Sequence, residues 1–225
     1  MSTPKTSKHK AAKPRDAKPK AKAKDGAVKK AARKIAKVDR EVTHTMAQGR
    51  DTPLMKAVAF LSEAADQPPL IAASLGTFAI GLATRRADLA RGGARMLLSH
   101  LLATAAKNAI KHRIDRTRPA AALEQGHGKF EPGHTHDHDE NSFPSGHTAG
   151  AVAVALAASH DIEGAAVPAA LATAGVAAAQ APTGHHYLTD VIVGGAIGWA
   201  VESVVSNVFD RFEPKVEAAI RETAI

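Results

Sequence analysis

The chain has no cysteine in its 225 residues, only one Trp and one Tyr, and six Phe. The missing thiol excludes a disulfide framework, a thiolate nucleophile and a cysteine-ligated zinc site. Chemistry therefore falls to His, Ser, Lys, Arg and carboxylates. With aromatics scarce, the 44% hydrophobic content is mostly Ala, Val, Leu and Ile. Small side chains let backbones approach closely, which suits packed helices better than a β-sandwich. The length fits one domain of ordinary size plus a tail and excludes a second large domain.

Acidic residues are nearly missing from the first forty positions, and this explains the net charge of +8 and the isoelectric point near 9.8. Residues 1–40 hold 15 of the 30 Lys and Arg and 3 of the 22 Asp and Glu, giving +12 there and −4 for the rest. The basicity belongs to the tail. Its Lys, Ala and Pro alternation (Lys18-Pro19-Lys20-Ala21-Lys22-Ala23-Lys24) buries too little apolar surface to offset the entropy of ordering, so residues 1–42 are expected to be disordered. No apolar h-region follows, and the Lys-over-Arg bias is unlike a mitochondrial transit peptide. Such a tail is either an arm for anionic lipid or nucleic acid, or a solvated segment that also fixes topology. As an arm, its removal over residues 1–40 should leave turnover nearly intact.

The period-two alternation of half-buried strands is also missing between residues 43 and 225. Apolar segments run approximately over 53–64, 69–84, 92–110, 147–159, 165–181 and 191–209, separated by breaks at 66–69, 85–91, 119–142, 161–164 and 182–189, all but 85–91 bearing Pro or Gly. Proline and glycine stop helices for steric and hydrogen-bonding reasons. The expectation is an all-α, six-helix bundle with a disordered basic N-terminal tail. Several segments fall short of the about 20 apolar residues a bilayer span needs. In favour of spans, residues 164–189 lack Asp, Glu, Lys and Arg altogether, and Gly194, Gly195 and Gly198 suit close helix contacts in lipid. Four Arg at 85, 86, 91 and 95 face only Asp88 in one connection; with the positive tail they predict both on the cytoplasmic side of a multi-pass bundle. A soluble Ala-rich bundle is the alternative.

Three polar clusters interrupt the apolar pattern at helix ends. Alternating helix directions would bring all three to one face, opposite the tail. Lys111-x6-Arg118-Pro119 supplies an ammonium and a guanidinium suited to phosphate oxygens, or alternatively charges snorkelling at a membrane edge. His100, Thr104, Lys107 and Lys111 recur at three-or-four spacing, a polar stripe expected to face the bundle interior. Pro144-Ser145-Gly146-His147 precedes an apolar run. It is an anion cradle at a helix start, with Gly146 allowing close backbone approach, or an ordinary N-cap. His186 and Asp190 stand one helical turn apart, a carboxylate fixing an imidazole tautomer or a structural pair. A metal site needs a third ligand at helical spacing, and none joins them.

In that order and at those helix ends, the three motifs resemble the type-2 phosphatidic acid phosphatase family, which also includes bacterial acid phosphatases and vanadium haloperoxidases. The resemblance covers about residues 50–210. It implies hydrolysis of a phosphomonoester or diphosphate through a phosphohistidine, without metal or other cofactor, on a phosphorylated lipid at a membrane. It implies further that His186 attacks phosphorus, Asp190 orients it and His147 protonates the leaving oxygen. Lys111, Arg118, Ser145 and Gly146 would hold the phosphoryl oxygens.

The family's third motif reads Ser-Arg-x5-His-x3-Asp, whereas Gln180 and Ala179 stand here, and no Arg occurs between Arg118 and Arg211. Gln180 as a neutral donor, or His185 if protonated, would compensate in part. A neutral hydrogen bond to an oxyanion is roughly half as strong as a charge-assisted one, so weaker phosphate binding is expected. The alternative is a weak or inactive membrane protein whose tail binds anionic lipid or nucleic acid. The loop over 127–140 carries His127, Glu131, His134, His136, Asp137, His138, Asp139 and Glu140, a solvated or gating loop or else a divalent-metal site.

Overall fold

The computed structural model describes residues 18–223, with side chains for 30, 31 and 33–212. The disorder expected of residues 1–17 lies outside this range. The chain divides into two units, residues 1–38 and 39–225.

From Lys18 onward the expected disordered tail is helical: α1 spans Lys18–Ala47. Lys and Ala are strong helix formers, and Pro19 falls in the first turn, where proline is tolerated. Composition alone read these residues as unable to order, and that expectation is corrected for 18–42.

The six expected helices are present as α2 (Pro53–Ser62), α3 (Gln67–Ala83), α4 (Ala87–Lys111), α6 (Gly146–Asp161), α7 (Ala166–Ala179) and α8 (Leu188–Thr223). With α1 and the short α5 (Pro119–Gln125), the described residues form eight α-helices rather than six. Their starts follow local chemistry. The Thr52 hydroxyl accepts from Met55 N–H with Pro53 in the first turn, and Ser145 caps α6 by accepting from Thr148 N–H. Gly126, at φ +73°, ends α5 in the left-handed region that favours glycine. The long connection is partly strand: β1 (Ile114–Arg116) pairs antiparallel with β2 (Phe130–Pro132), Asp115 opposite Glu131.

Helix α6 is the central element, packed against α3, α4, α7 and α8. Glycines set its distance from α8. A Cβ at Gly194 would collide with the Ser145 carbonyl and one at Gly198 with the Ala149 carbonyl, whereas Gly195 has ordinary clearance. The apolar core is small-residue packing, Met96, Val154, Ala157 and Ala158 with Leu70 and Ile162 against them.

Polarity runs the wrong way for a water-soluble bundle. Arg95, His100, Gln180, His186 and Asp190 are fully buried, while Phe60, Val167, Leu171, Ile192 and Trp199 are each more than 60% exposed. Arg95 sits in a network with Asp161 (2.8 Å) and Ser206 (2.8 Å), and Ser206 in turn donates to Glu202. Among the described residues one segment, Leu188–Phe212, is long and apolar enough to cross a bilayer; α3 and α7 are apolar but shorter.

Candidate active site

The end of α4, the start of α6 and the α7–α8 connection border one cavity of about 380 Å³. Lys111, Arg118, Gly146, His147, His185 and His186 all line it, so the three clusters meet as their placement at helix ends predicted. The polar stripe on α4 turns inward too: Thr104 and Lys107 join Lys111 on the wall. Gly146 eases that approach, since a Cβ there would lie 3.0 Å from Lys107 Nζ and the lysine tip would have to give way.

His186 is fully buried at the back of this cavity, its N–H donating to the Gln180 carbonyl at 3.1 Å. Its Nδ1 lies 3.5 Å from Ser142 Oγ and 3.8 Å from Asp190 Oδ2, which leaves Nε2 as the nitrogen free of this group. Asp190 stands behind the imidazole and does not line the cavity. Its Oδ2 accepts from Ser142 Oγ (2.6 Å) and Tyr187 N–H (2.9 Å), and its Oδ1 from Arg116 Nη1 (2.5 Å). With the carboxylate so occupied, burial dominates and pushes the His186 imidazole down to about 3. Burial, then the Arg118 charge, pushes His185 down to about 4.

The His147 ring is 6.3 Å from that of His186 and 6.4 Å from that of His185, centroid to centroid. Its Nε2 lies 3.4 Å from Asp66 Oδ1, an acid that caps α3 and also faces the cavity. Arg118 is held by loop carbonyls, Nε donating to His138 O (2.9 Å) and Nη1 to His185 O (3.3 Å).

Other expected site residues stand back from the wall. Ser145 is fully buried, its hydroxyl committed to Thr148 in the helix cap. Gln180 is fully buried, its Nε2 donates to Val176 O at 2.9 Å, and it is not among the residues lining the cavity. Of the two proposed compensating residues, His185 faces the cavity, where burial and the Arg118 charge disfavour its charged form. In the 127–140 loop, no group of three His, Asp or Glu able to hold a metal forms among the described residues. His134 instead bonds the His112 carbonyl at 2.6 Å, and His138 reaches the cavity mouth.

Arg116, Ser142, Lys107, Asp66 and Asp39 were not assigned from sequence. Arg116 is buried and forked between two carboxylates, Asp190 and Asp39 (Nη2 to Oδ2, 2.7 Å), with its guanidinium 3.9 Å from the Tyr187 ring centre. Asp39 also accepts from Thr189 Oγ1 at 2.6 Å and Thr189 N–H at 3.2 Å. Thr43 accepts from Leu188 N–H, and His44 meets the Tyr187 hydroxyl. The end of α1 over 39–44 is thus part of the site end, which corrects for these residues the expected placement opposite the site. Deleting residues 1–40 would remove Asp39 and its contacts to Arg116 and Thr189.

A family model for the PAP2 superfamily matches residues 92–214, more than half of the chain and all three motifs. The chain belongs to the PAP2 superfamily. No curated protein sequence matches it. Two solved structures share the PAP2 fold with it. Aquifex aeolicus LpxE superposes with a TM-score of 0.57 at 20% identity, over 74% of this chain and 93% of that one. A transmembrane PAP2-type phosphatidylglycerolphosphate phosphatase from Bacillus subtilis gives 0.55 at 16% identity, over 79% and 87%. At such identities the likeness is one of fold.

Proposed function

We propose that this PAP2 protein is a membrane-embedded phosphatase that hydrolyses a phosphorylated lipid, a monoester or a polyprenyl diphosphate, through a phosphohistidine on His186. The observation that carries the reading is the convergence of His147, His186, Lys111 and Arg118 on one cavity, with Asp190 directly behind His186. Support for a lipid substrate comes from the apolar exterior and from the phosphatidylglycerolphosphate phosphatase among its structural neighbours.

Asp190 and Ser142 face Nδ1 of His186, holding its proton there, so Nε2 attacks phosphorus. The P–O bond to the lipid breaks, and His147 donates a proton to the departing oxygen. Asp66 stands beside His147, its Oδ1 3.4 Å from Nε2, where it would pair with the imidazolium that makes this donation. In the second half, His147 takes a proton from water as the hydroxide oxygen attacks phosphorus. The N–P bond breaks, and inorganic phosphate leaves with both imidazoles restored. Lys111, Arg118 and the amides at the start of α6, presented by the Ser145 cap, hold the equatorial oxygens as charge spreads over them. The basic tail adds an arm for anionic lipid.

Phosphate release from a lipid phosphate and from an aryl phosphate in detergent micelles tests this. His186→Ala is expected to lower turnover on the order of a thousandfold or more, with EDTA having little effect on the wild type. A radiolabelled phosphoryl group should be trapped on the wild type at alkaline quench but not on the variant, and it should be lost on acid treatment. Equal release by both proteins would reject the reading. An inert wild type would favour the alternative suggested by Gln180, an inactive membrane protein whose tail binds anionic lipid or nucleic acid.

A further inference from the structure

The cavity holds more positive charge than the three motifs account for. Lys107 and Lys111 lie one helical turn apart on α4, and both line the cavity together with Arg118. Like charges at this spacing repel, and half-buried ammonium groups without a paired carboxylate are costly. Neither lysine has a carboxylate within ion-pair distance among the described residues, and Asp66 on the same wall contacts His147. Lys107 is also packed against the start of α6, where any side chain at residue 146 would press on its Nζ. At the place where the third motif would supply a cation, Gln180 turns its amide to Val176 and away from the cavity.

We propose that Lys107 is a phosphate-binding residue: its ammonium contacts a phosphoryl oxygen beside the Gly146 amide and supplies the charge that the third motif lacks. The assignment rests on the phosphatase reading above. It explains why two unpaired lysines are kept together, since a dianionic phosphoryl group turns their repulsion into a shared attraction.

The test uses the full chain in detergent micelles, with Lys107→Met, Lys107→Arg and, as a charge-loss control, Lys56→Met on exposed α2. Two quantities are read: binding of inorganic phosphate by calorimetry, and KM and kcat for an aryl phosphate. Losing one charge-assisted contact should weaken phosphate binding about tenfold to a hundredfold and raise KM in step. Lys107→Arg should recover most of the loss, and Lys56→Met should match the wild type. Lys107→Met within about twofold of wild type in phosphate binding, or Lys107→Arg as impaired as Lys107→Met, would overturn the assignment while leaving the phosphatase reading intact. A wild type that binds phosphate through Lys107 without releasing it from any ester would overturn the catalytic reading alone. A wild type that binds none would overturn both.

Discussion

Asp190 spends its charge on Arg116, Ser142 and the Tyr187 amide, so little remains to hold a second proton on His186. An imidazole lowered to about 3 is a free base near neutral pH, so the acid limb of kcat/KM is expected to arise elsewhere than at the nucleophile. The same shift has a stability consequence. Histidine in an unfolded chain titrates near 6.5, whereas folded His185 and His186 stay neutral down to about 4 and 3. Between those limits the unfolded chain binds more protons, so stability is full above about pH 6.5 and falls as pH drops toward 4. Thermal midpoints measured at pH 7, 6 and 5 should decline. His185→Asn, which removes one of the two depressed imidazoles, should flatten the decline. An unchanged slope in the variant would show that His185 is charged in the fold.

The last turns of α1 and the first turn of α8 are joined by one charged chain, Asp39 to Arg116 to Asp190, with Thr189 closing the ring. Asp39 and Arg116 side chains are only 3% and 6% exposed. Breaking a buried pair by removing one partner costs about 3–5 kcal/mol, because the other charge stays uncompensated. Asp39→Ala should therefore lower both the thermal midpoint and turnover. Chains starting at residue 39 and at residue 41 should differ sharply, the first active and the second impaired; equal activity would mean that the chain from Asp39 does not position Asp190. The chain starting at 39 should also lose salt-sensitive binding to anionic vesicles relative to full length, since fourteen of the fifteen basic residues of the 1–40 segment are gone. No sequence pattern pointed to this clamp, because Arg116 and Asp39 are 77 residues apart and neither lies in a periodic run. Lys111, Arg118, Gly146, His147 and His186 were legible for the opposite reason. Pro119, Pro144 and Gly146 mark helix ends, and alternating helices bring those ends together. Lys107 was visible as part of an inward stripe, but its role depends on where the Gln180 side chain points, which spacing does not determine.

At the scale of the whole molecule, the arrangement of polarity favours a membrane bundle over a soluble one. Leu54, Phe60, Leu61, Val167, Leu171, Ile192 and Trp199 all stand largely exposed. Each would gain up to about 1.5–3 kcal/mol by leaving water, and seven together rival the roughly 5–15 kcal/mol net stability of a folded domain. Charged and polar groups fill the interior instead, as bilayer helices require of their few ionisable residues. Hydropathy undercounts such spans, because Lys107, Lys111 and Arg95 depress the average of α4 while pointing inward. The expected behaviour is that the chain from residue 39 stays in the membrane fraction after carbonate at high pH and enters solution only with detergent. It should not be released by high salt, which screens surface charge but leaves apolar burial untouched. Release by salt, or a monodisperse preparation without detergent, would place the same cavity in a peripheral or soluble bundle and remove the apolar exterior as a reason to expect a lipid substrate.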